Sequence, residues 1–200
     1  PEFYTYFKDT TFTWDRTGGD PIKQGNRNPL LYKNMGVDGI KTGFLTVEQY
    51  SLAASLKTTD RRVTVVGSGY KTKNSRSRES AKILNWGLKK FDTIKVAKRE
   101  EVFANLNVWQ GKQNKVEVVP AEDIYITIPK RKKKTVKAFV EYNGPIEAPI
   151  EIGEKLGVIK VYISGELKKE VDVLSLESIK RSNIFSRLFR SLNYLVWGDA

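Results

Sequence analysis

Apolar and polar positions along this chain follow two different periods, and the change of period divides it into unlike parts. Apolar runs at 37–43, 50–56 and 62–67, separated by a polar turn through Thr58-Thr59-Asp60-Arg61, predict antiparallel strands. An earlier alternation at 10–14 predicts another strand, followed by a turn at Gly18-Gly19-Asp20-Pro21. The aromatic cluster before it, at 3–7, reads as a helix end whose rings pack into a core. From 75 to 91 the period becomes helical: Ile83, Leu84, Trp86, Leu88 and Phe91 recur on one side, Arg76, Arg78, Lys82 and Lys89 on others, with Ser75 placed as N-cap. Beyond residue 95 come short β-branched runs at 102–110, 115–119, 123–128, 135–142, 155–163 and 166–174. Turns at Asn143-Gly144-Pro145 and Ser164-Gly165 break them, the spacing of an all-β sandwich or barrel.

The period turns helical again at 179–197. Ile184, Phe185, Leu188, Phe189, Leu192, Leu195 and Val196 share one face and Trp197 lies near the end, while Lys180, Arg181, Ser182, Arg187, Arg190, Ser191 and Asn193 take the other face. A basic face opposite an aromatic and aliphatic one is the pattern of a helix lying in a membrane interface. The same stripe also suits a terminal helix docked on its own β-domain.

Composition narrows the chemistry. The chain has 200 residues, 40% hydrophobic and 11% aromatic, which suits one or two globular domains. Histidine and cysteine are both absent, so a Ser-His-Asp triad, a Cys-His pair, thiolate zinc sites and His-ligated metals are excluded by count. A formal net charge of +12 makes the surface attractive to anions: nucleic acid, anionic lipid or an acidic cell-wall polymer. The cation run Lys130-Arg131-Lys132-Lys133-Lys134 lacks interleaved aromatics, so it reads as a solvated loop between strands and not as a nucleic-acid site. No apolar run reaches the ~18 residues of a membrane-spanning helix.

Within the first part, Lys41-Thr42-Gly43 is the stretch with chemical character. A cation, a hydroxyl and a residue without a side chain stand in a row on a strand. Lysine supplies charge, threonine a donor, and glycine a close approach to the backbone, which together make an anion-binding edge. K-T-G is one of three elements, with S-x-x-K and S-x-N, of penicillin-recognising serine enzymes. Ser68-Gly69-Tyr70-Lys71 and Ser191-Leu192-Asn193 fit the other two patterns by letter only. Ser68 closes a strand where a helix start is needed, and Ser191 sits in the terminal helix.

Taken together, Asn26-Arg27-Asn28, Leu30-Leu31-Tyr32, Val37-Asp38-Gly39-Ile40-Lys41-Thr42-Gly43 and Tyr50-Ser51-Leu52-Ala53-Ala54-Ser55 resemble the D-alanyl-D-alanine carboxypeptidases, the low-molecular-mass penicillin-binding proteins. Ala148-Pro149-Ile150, Gly153 and Leu156-Gly157 resemble the β-domain that follows their catalytic domain. Where relatives often carry Ala-Gly-Tyr, this chain has Glu48-Gln49-Tyr50, and Phe44 stands where some carry histidine. In that family the nucleophilic serine and S-x-N precede K-T-G by a long stretch, whereas 40 residues precede Lys41 here.

The resemblance implies an α+β protein: the C-terminal part of a β-lactamase/transpeptidase-like domain (1–95, antiparallel sheet plus helix), a small all-β sandwich (96–178) and an amphipathic anchoring helix (179–200). It implies a serine-type hydrolase that removes the terminal D-alanine from peptidoglycan stem peptides through an acyl-enzyme, with β-lactams as inhibitors and no metal or cofactor. Lys41 is then the catalytic-site lysine of this part. Lys41, Thr42, Gly43, Phe44 and Arg76 meet the substrate, and Arg27 is either a loop charge or a neighbour of that site. The implied location is the periplasmic face of the inner membrane, on an anionic surface held by the terminal helix. Without S-x-x-K and S-x-N, the 200 residues alone are expected to be inactive. The other reading is a non-catalytic, membrane-associated binding protein of the cell envelope.

Overall fold

The computed structural model describes residues 2–15 and 18–197, except the side chains at 189–191, 193–195 and 197. The chain divides into two compact units between Asp92 and Thr93.

The first unit opens with a 3-10 turn (Glu2–Lys8) and a two-stranded antiparallel ladder, β1 (Thr11–Trp14) with β2 (Ile22–Gly25). Its rings are not core: Phe3, Tyr6, Phe12 and Trp14 are all exposed, correcting the sequence expectation. The physical reason is that every position of β1 faces solvent, with no described layer over the ladder. Tyr4 differs. Its hydroxyl donates to Asp38 (3.1 Å) and accepts from Arg62 (2.8 Å), whose guanidinium lies over the Tyr4 ring at 4.5 Å.

The main sheet follows, with β3 (Val37–Leu45), β4 (Gln49–Lys57) and β5 (Arg62–Tyr70) antiparallel in that order. Leu52, Ala54 and Leu56 alternate inward from β4 and bury against Leu30, Val65 and Leu84. Helix α1 (Lys73–Lys90) covers this face. It starts two residues before the predicted point, and Ser75 is not its N-cap. Thr72 is: its hydroxyl accepts from the Ser75 N–H (3.0 Å), while the Thr72 N–H donates to Ser75 Oγ (3.1 Å). This reciprocal capping box fixes the helix start. The buried stripe of α1 also differs from the apolar one in the sequence, for Ile83 and Trp86 are exposed whereas Arg76, Ser80 and Leu84 are buried. The inward face is therefore apolar in the middle of the helix and polar at its N-terminal turn. Arg61 donates to the Leu88 carbonyl at the other end (2.9 Å), where a cation suits the helix dipole.

β6 (Phe91–Ala97) begins at the last two residues of the first unit and continues into the second, which holds β7 (Ala104–Trp109), β8 (Lys115–Pro120), β9 (Ile124–Pro129), β10 (Val136–Glu141), β11 (Ile146–Glu147), β12 (Lys155–Ile163) and β13 (Glu166–Ser175). One sheet runs in the order β10-β12-β13-β8-β7-β11, and β6 pairs with β9 in a separate ladder. Strict alternation such as Val116-Glu117-Val118 on β8 and Ile124-Tyr125-Ile126-Thr127-Ile128 on β9 sends one side of each strand into a single aliphatic core. The basic run predicted as a loop is a 3-10 turn, Lys130–Thr135, between β9 and β10. Helix α2 (Ile184–Trp197) closes the chain, its start capped by Asn183 Oδ1 accepting from the Ser186 N–H (3.0 Å). The structure is thus sheet-dominated with few helices.

The Asp38–Arg62 pair clips the N-terminal turn to the sheet, with Arg62 N–H groups reaching both carboxylate oxygens at 2.7 and 2.8 Å. Hydrogen bonding to Arg62 is the main reason the Asp38 carboxyl sits below its ordinary pKa. A depressed carboxyl stabilises the fold fully above its ordinary value, and that stabilisation is lost as pH falls through the lower, folded value. The pair is partly exposed, so its worth is at most about 1 kcal/mol. Thermal melts from neutral pH down into the acid range should therefore show Asp38→Asn less stable than wild type near neutrality, with the gap closing on acidification. A gap that stays constant with pH would disprove this role.

Candidate functional site

Beside β3 lies a groove of about 830 Å³ lined by Arg27, Lys41, Thr42, Gly43, Phe44, Tyr50, Lys73 and Arg76. It brings together every substrate-contacting residue expected from the sequence, and adds Tyr50 and Lys73. Four of the lining residues are cations, and none of the described lining residues is a carboxylate. Such an enclosure concentrates positive potential and selects an anion.

Each wall has a local cause. Among the described residues β3 is the edge strand of its sheet, so one side of Lys41-Thr42-Gly43 has no neighbouring strand there. Lys41 is exposed, and its Nζ donates to the Thr42 carbonyl at 2.7 Å, which folds the side chain along the strand edge. At Gly43 a Cβ would meet Ser51 Oγ on β4, so any larger residue there would have to turn the Ser51 hydroxyl aside. Phe44 and Tyr50 face each other across the β3–β4 hairpin with ring centroids 4.6 Å apart. Next to Tyr50, Gln49 adopts φ 57°, a left-handed backbone that glycine adopts without penalty.

The opposite wall is the N-terminal turn of α1. Lys73 is the first helical residue because Thr72, not Ser75, caps the helix. Arg76, one turn in, is only 7% exposed, and its Nε has no hydrogen-bond partner among the described residues. One terminal nitrogen reaches the Arg27 carbonyl at a long 3.5 Å, and the guanidinium lies 5.6 Å from the Tyr50 ring centroid. Burial pulls the Arg76 pKa below the ordinary guanidinium value, the mark of a charge held away from water without a counter-ion. The helix dipole adds to the mismatch, since the N-terminal turn is its positive end. A bound anion would relieve all three penalties at once.

The third wall is the loop carrying Arg27, and two asparagines hold it. Asn28 is buried; its Nδ2 donates to the Gly39 carbonyl (2.9 Å) and its Oδ1 accepts from the Leu30 N–H (3.0 Å). Asn26 donates to the carbonyls of Phe7 (3.2 Å) and Asp9 (2.9 Å). Asn28 thus ties the loop to β3 two residues before Lys41. Sequence reading missed Asn28, Lys73 and Tyr50; the Thr72-x-x-Ser75 spacing was the available signal for Lys73.

The remaining expectations fall elsewhere. Ser68 lies within β5, exposed, not at a helix start facing Lys71. The side chains of Phe189, Ser191, Leu195 and Trp197 lie outside the described residues. Ile184, Phe185, Leu188, Leu192 and Val196, the members of the apolar stripe whose side chains are described, are all exposed, Phe185 at 84%. No helix among the described residues is long and apolar enough to cross a membrane.

Comparison with known proteins bears on both units. Residues 91–181 match the family model described as penicillin-binding protein 5, C-terminal domain. D-alanyl-D-alanine carboxypeptidase DacD of Salmonella typhimurium is 31% identical over 190 residues, covering 94% of this chain and 47% of that protein. D-alanyl-D-alanine carboxypeptidase DacC of Escherichia coli is 32% identical over 191 residues, covering 94% and 46%. The crystal structure of penicillin binding protein 5 from Haemophilus influenzae superposes with a TM-score of 0.77 at 32% identity, covering 90% of this chain and 52% of that one. This chain spans about half the length of the curated relatives it matches. The resemblance read from the sequence, to the C-terminal part of these carboxypeptidases, holds.

Proposed function

Starting from a chain that resembles the C-terminal part of the D-alanyl-D-alanine carboxypeptidases, we propose that its groove holds the free C-terminal carboxylate of a peptidoglycan stem peptide ending in D-Ala-D-Ala. The observation that carries this reading is the buried Arg76, its Nε without a hydrogen-bond partner among the described residues, lining one groove with Lys41 and Thr42 in which no described lining residue is acidic. In this reading the first unit is the C-terminal part of a transpeptidase-like catalytic domain. Arg76 and the Thr42 hydroxyl grip the carboxylate. Lys41 supplies positive charge beside the anionic intermediate, and the Phe44 N–H is one donor of the oxyanion hole. Arg27 and Lys73 add charge at the rim.

The reaction of the whole enzyme would be acyl transfer to serine. A serine hydroxyl attacks the carbonyl between the two D-alanines and passes its proton to a base. The amide C–N bond breaks, protonated D-alanine leaves, and water hydrolyses the ester. No serine of this chain stands in an S-x-x-K helix start among the described residues, so these residues bind and orient without cutting. β-Lactams would acylate the whole enzyme by the same route. The chemistry needs no metal or cofactor.

Helix α2 is the proposed anchor. Its described apolar residues, at 184, 185, 188, 192 and 196, are exposed, while on the basic face Arg187 donates to Gln110 Oε1 of the second unit (3.0 Å); an apolar stripe left open in this way suits the interface of an anionic bilayer. On this reading the protein works at the periplasmic face of the inner membrane. The second unit then acts as a spacer between bilayer and groove.

Two measurements test this. Calorimetry of the full chain should detect binding of N-acetyl-D-Ala-D-Ala, with the C-terminal amide and the variants Arg76→Leu and Lys41→Ala each weaker by about tenfold or more, as for loss of a buried charged hydrogen bond. Equal binding of acid and amide would contradict the carboxylate role. In flotation assays the chain should rise with phosphatidylglycerol vesicles, and Phe185→Asp/Leu188→Asp should stay behind. Wild-type chain left in the soluble fraction would remove the anchor.

A further inference from the structure

A second groove, of about 640 Å³, lies on the second unit, lined by Lys134, Thr135, Lys137, Phe139, Tyr162 and Ser164 together with Gly165. It sits where the 3-10 turn enters β10 and the β12–β13 turn comes round beside it. On β10 the core-facing positions are Val136, Ala138 and Val140, so Lys137 and Phe139 point outward. Register sets Lys137 opposite Tyr162 on β12. The result is a phenyl ring 56% exposed on an outward face whose neighbouring positions are charged.

Two features mark this groove as a place for a ligand. The first is charge left over. Neighbouring cations are neutralised locally: Lys160 meets Glu141 at 2.8 Å and Glu170 at 3.8 Å, and Lys168 meets Glu166 at 2.6 Å. Among the described residues, Lys134 and Lys137 have no ion pair and no carboxylate lines the groove. The second is the shape of the aromatic wall. The Phe139 and Tyr162 ring centroids are 6.3 Å apart and the planes are inclined at 58°. Flat nucleobases stack best on parallel faces, whereas a puckered pyranose presents C–H groups at several angles and fits an angled wall. Thr135 donates to the Lys132 carbonyl (2.7 Å) and so accepts from the Ser164 hydroxyl (3.1 Å), which leaves hydroxyl lone pairs at the rim to accept from sugar hydroxyls.

We propose that this groove binds a carboxylate-bearing glycan strand, with a sugar face against Phe139 and Tyr162 and its acid group between Lys134 and Lys137. The groove on the first unit takes no part in the inference, and the envelope reading above enters only in choosing the probe. The second unit becomes a glycan contact, not a passive spacer.

The test uses the full 200-residue chain and peptide-free strands of alternating N-acetylglucosamine and N-acetylmuramic acid, which carry one lactyl carboxylate per disaccharide. Calorimetry should show binding that is weaker for a neutral chitooligosaccharide of equal length. Phe139→Ala should weaken it by about tenfold, as for a lost stacking face, and Lys137→Ser by about threefold, as for an exposed ion pair. Both positions are exposed, and far-ultraviolet circular dichroism checks that each variant folds. Arg76→Leu should leave strand binding unchanged while losing N-acetyl-D-Ala-D-Ala, so failure of either groove is seen separately. The proposal is overturned if the strands do not bind or if both variants bind them like wild type. Tighter binding of oligothymidylate, lost in the same variants, would assign the groove to nucleic acid and equally overturn it.

Discussion

The structure of the first unit turns on one buried guanidinium. Arg76 occupies the inward stripe of α1, in line with Ser80 and Leu84, at a place where a fold seeking stability alone would put an aliphatic residue. A buried charge must be compensated, and removing a charge from water costs several kcal/mol even after relaxation. Here the compensation is partial: a long hydrogen bond to the Arg27 carbonyl, the face of Tyr50, and nothing for Nε. The deficit sits beside Lys41 and Thr42 on an open strand edge. An anion in the groove supplies what the fold omits.

Most of the surrounding order serves to hold that arrangement still. The capping box at Thr72 and Ser75 fixes where α1 begins and hence the phase of Arg76 around the helix. The helix is seated from below by Leu84 against β4 and β5, and by the Ser80 hydroxyl on the Tyr70 hydroxyl at 3.1 Å. Asn28 bolts the Arg27 loop to β3. Each contact lies on scaffold or loop, and together they set three walls of one groove.

Much of this was legible in the sequence, for reasons that differ by element. β8, β12 and β13 were read nearly to the residue because their β-branched alternation has no helical interpretation. Lys41-Thr42-Gly43 and Arg76 were found through resemblance, and the structure places them in one groove. The start of α1 was misplaced because serine, a strong N-cap residue, masked a threonine three positions earlier whose capping role needs the pair. The buried face of α1 was misread because its inward residues Arg76 and Ser80 are polar, invisible to a search for apolar periodicity. Phe3, Tyr6, Phe12 and Trp14 are exposed against the sequence expectation because aromatic content carries no information on whether a second layer covers a hairpin. The Phe139–Tyr162 wall is illegible in the sequence because it forms diagonally between β10 and β12, where Phe139 pairs with Lys160 and Tyr162 with Lys137.

Direct observation of the Arg76 Nε–H by heteronuclear NMR, during titration of the full chain with N-acetyl-D-Ala-D-Ala, goes to the centre of this account. A carboxylate taking the vacant hydrogen bond should move that resonance downfield and slow its exchange with water, with the Lys73 and Arg27 signals changing less. An Arg76 Nε–H that keeps its free-state shift and exchange rate while the peptide saturates would show that the buried charge was never there for the ligand.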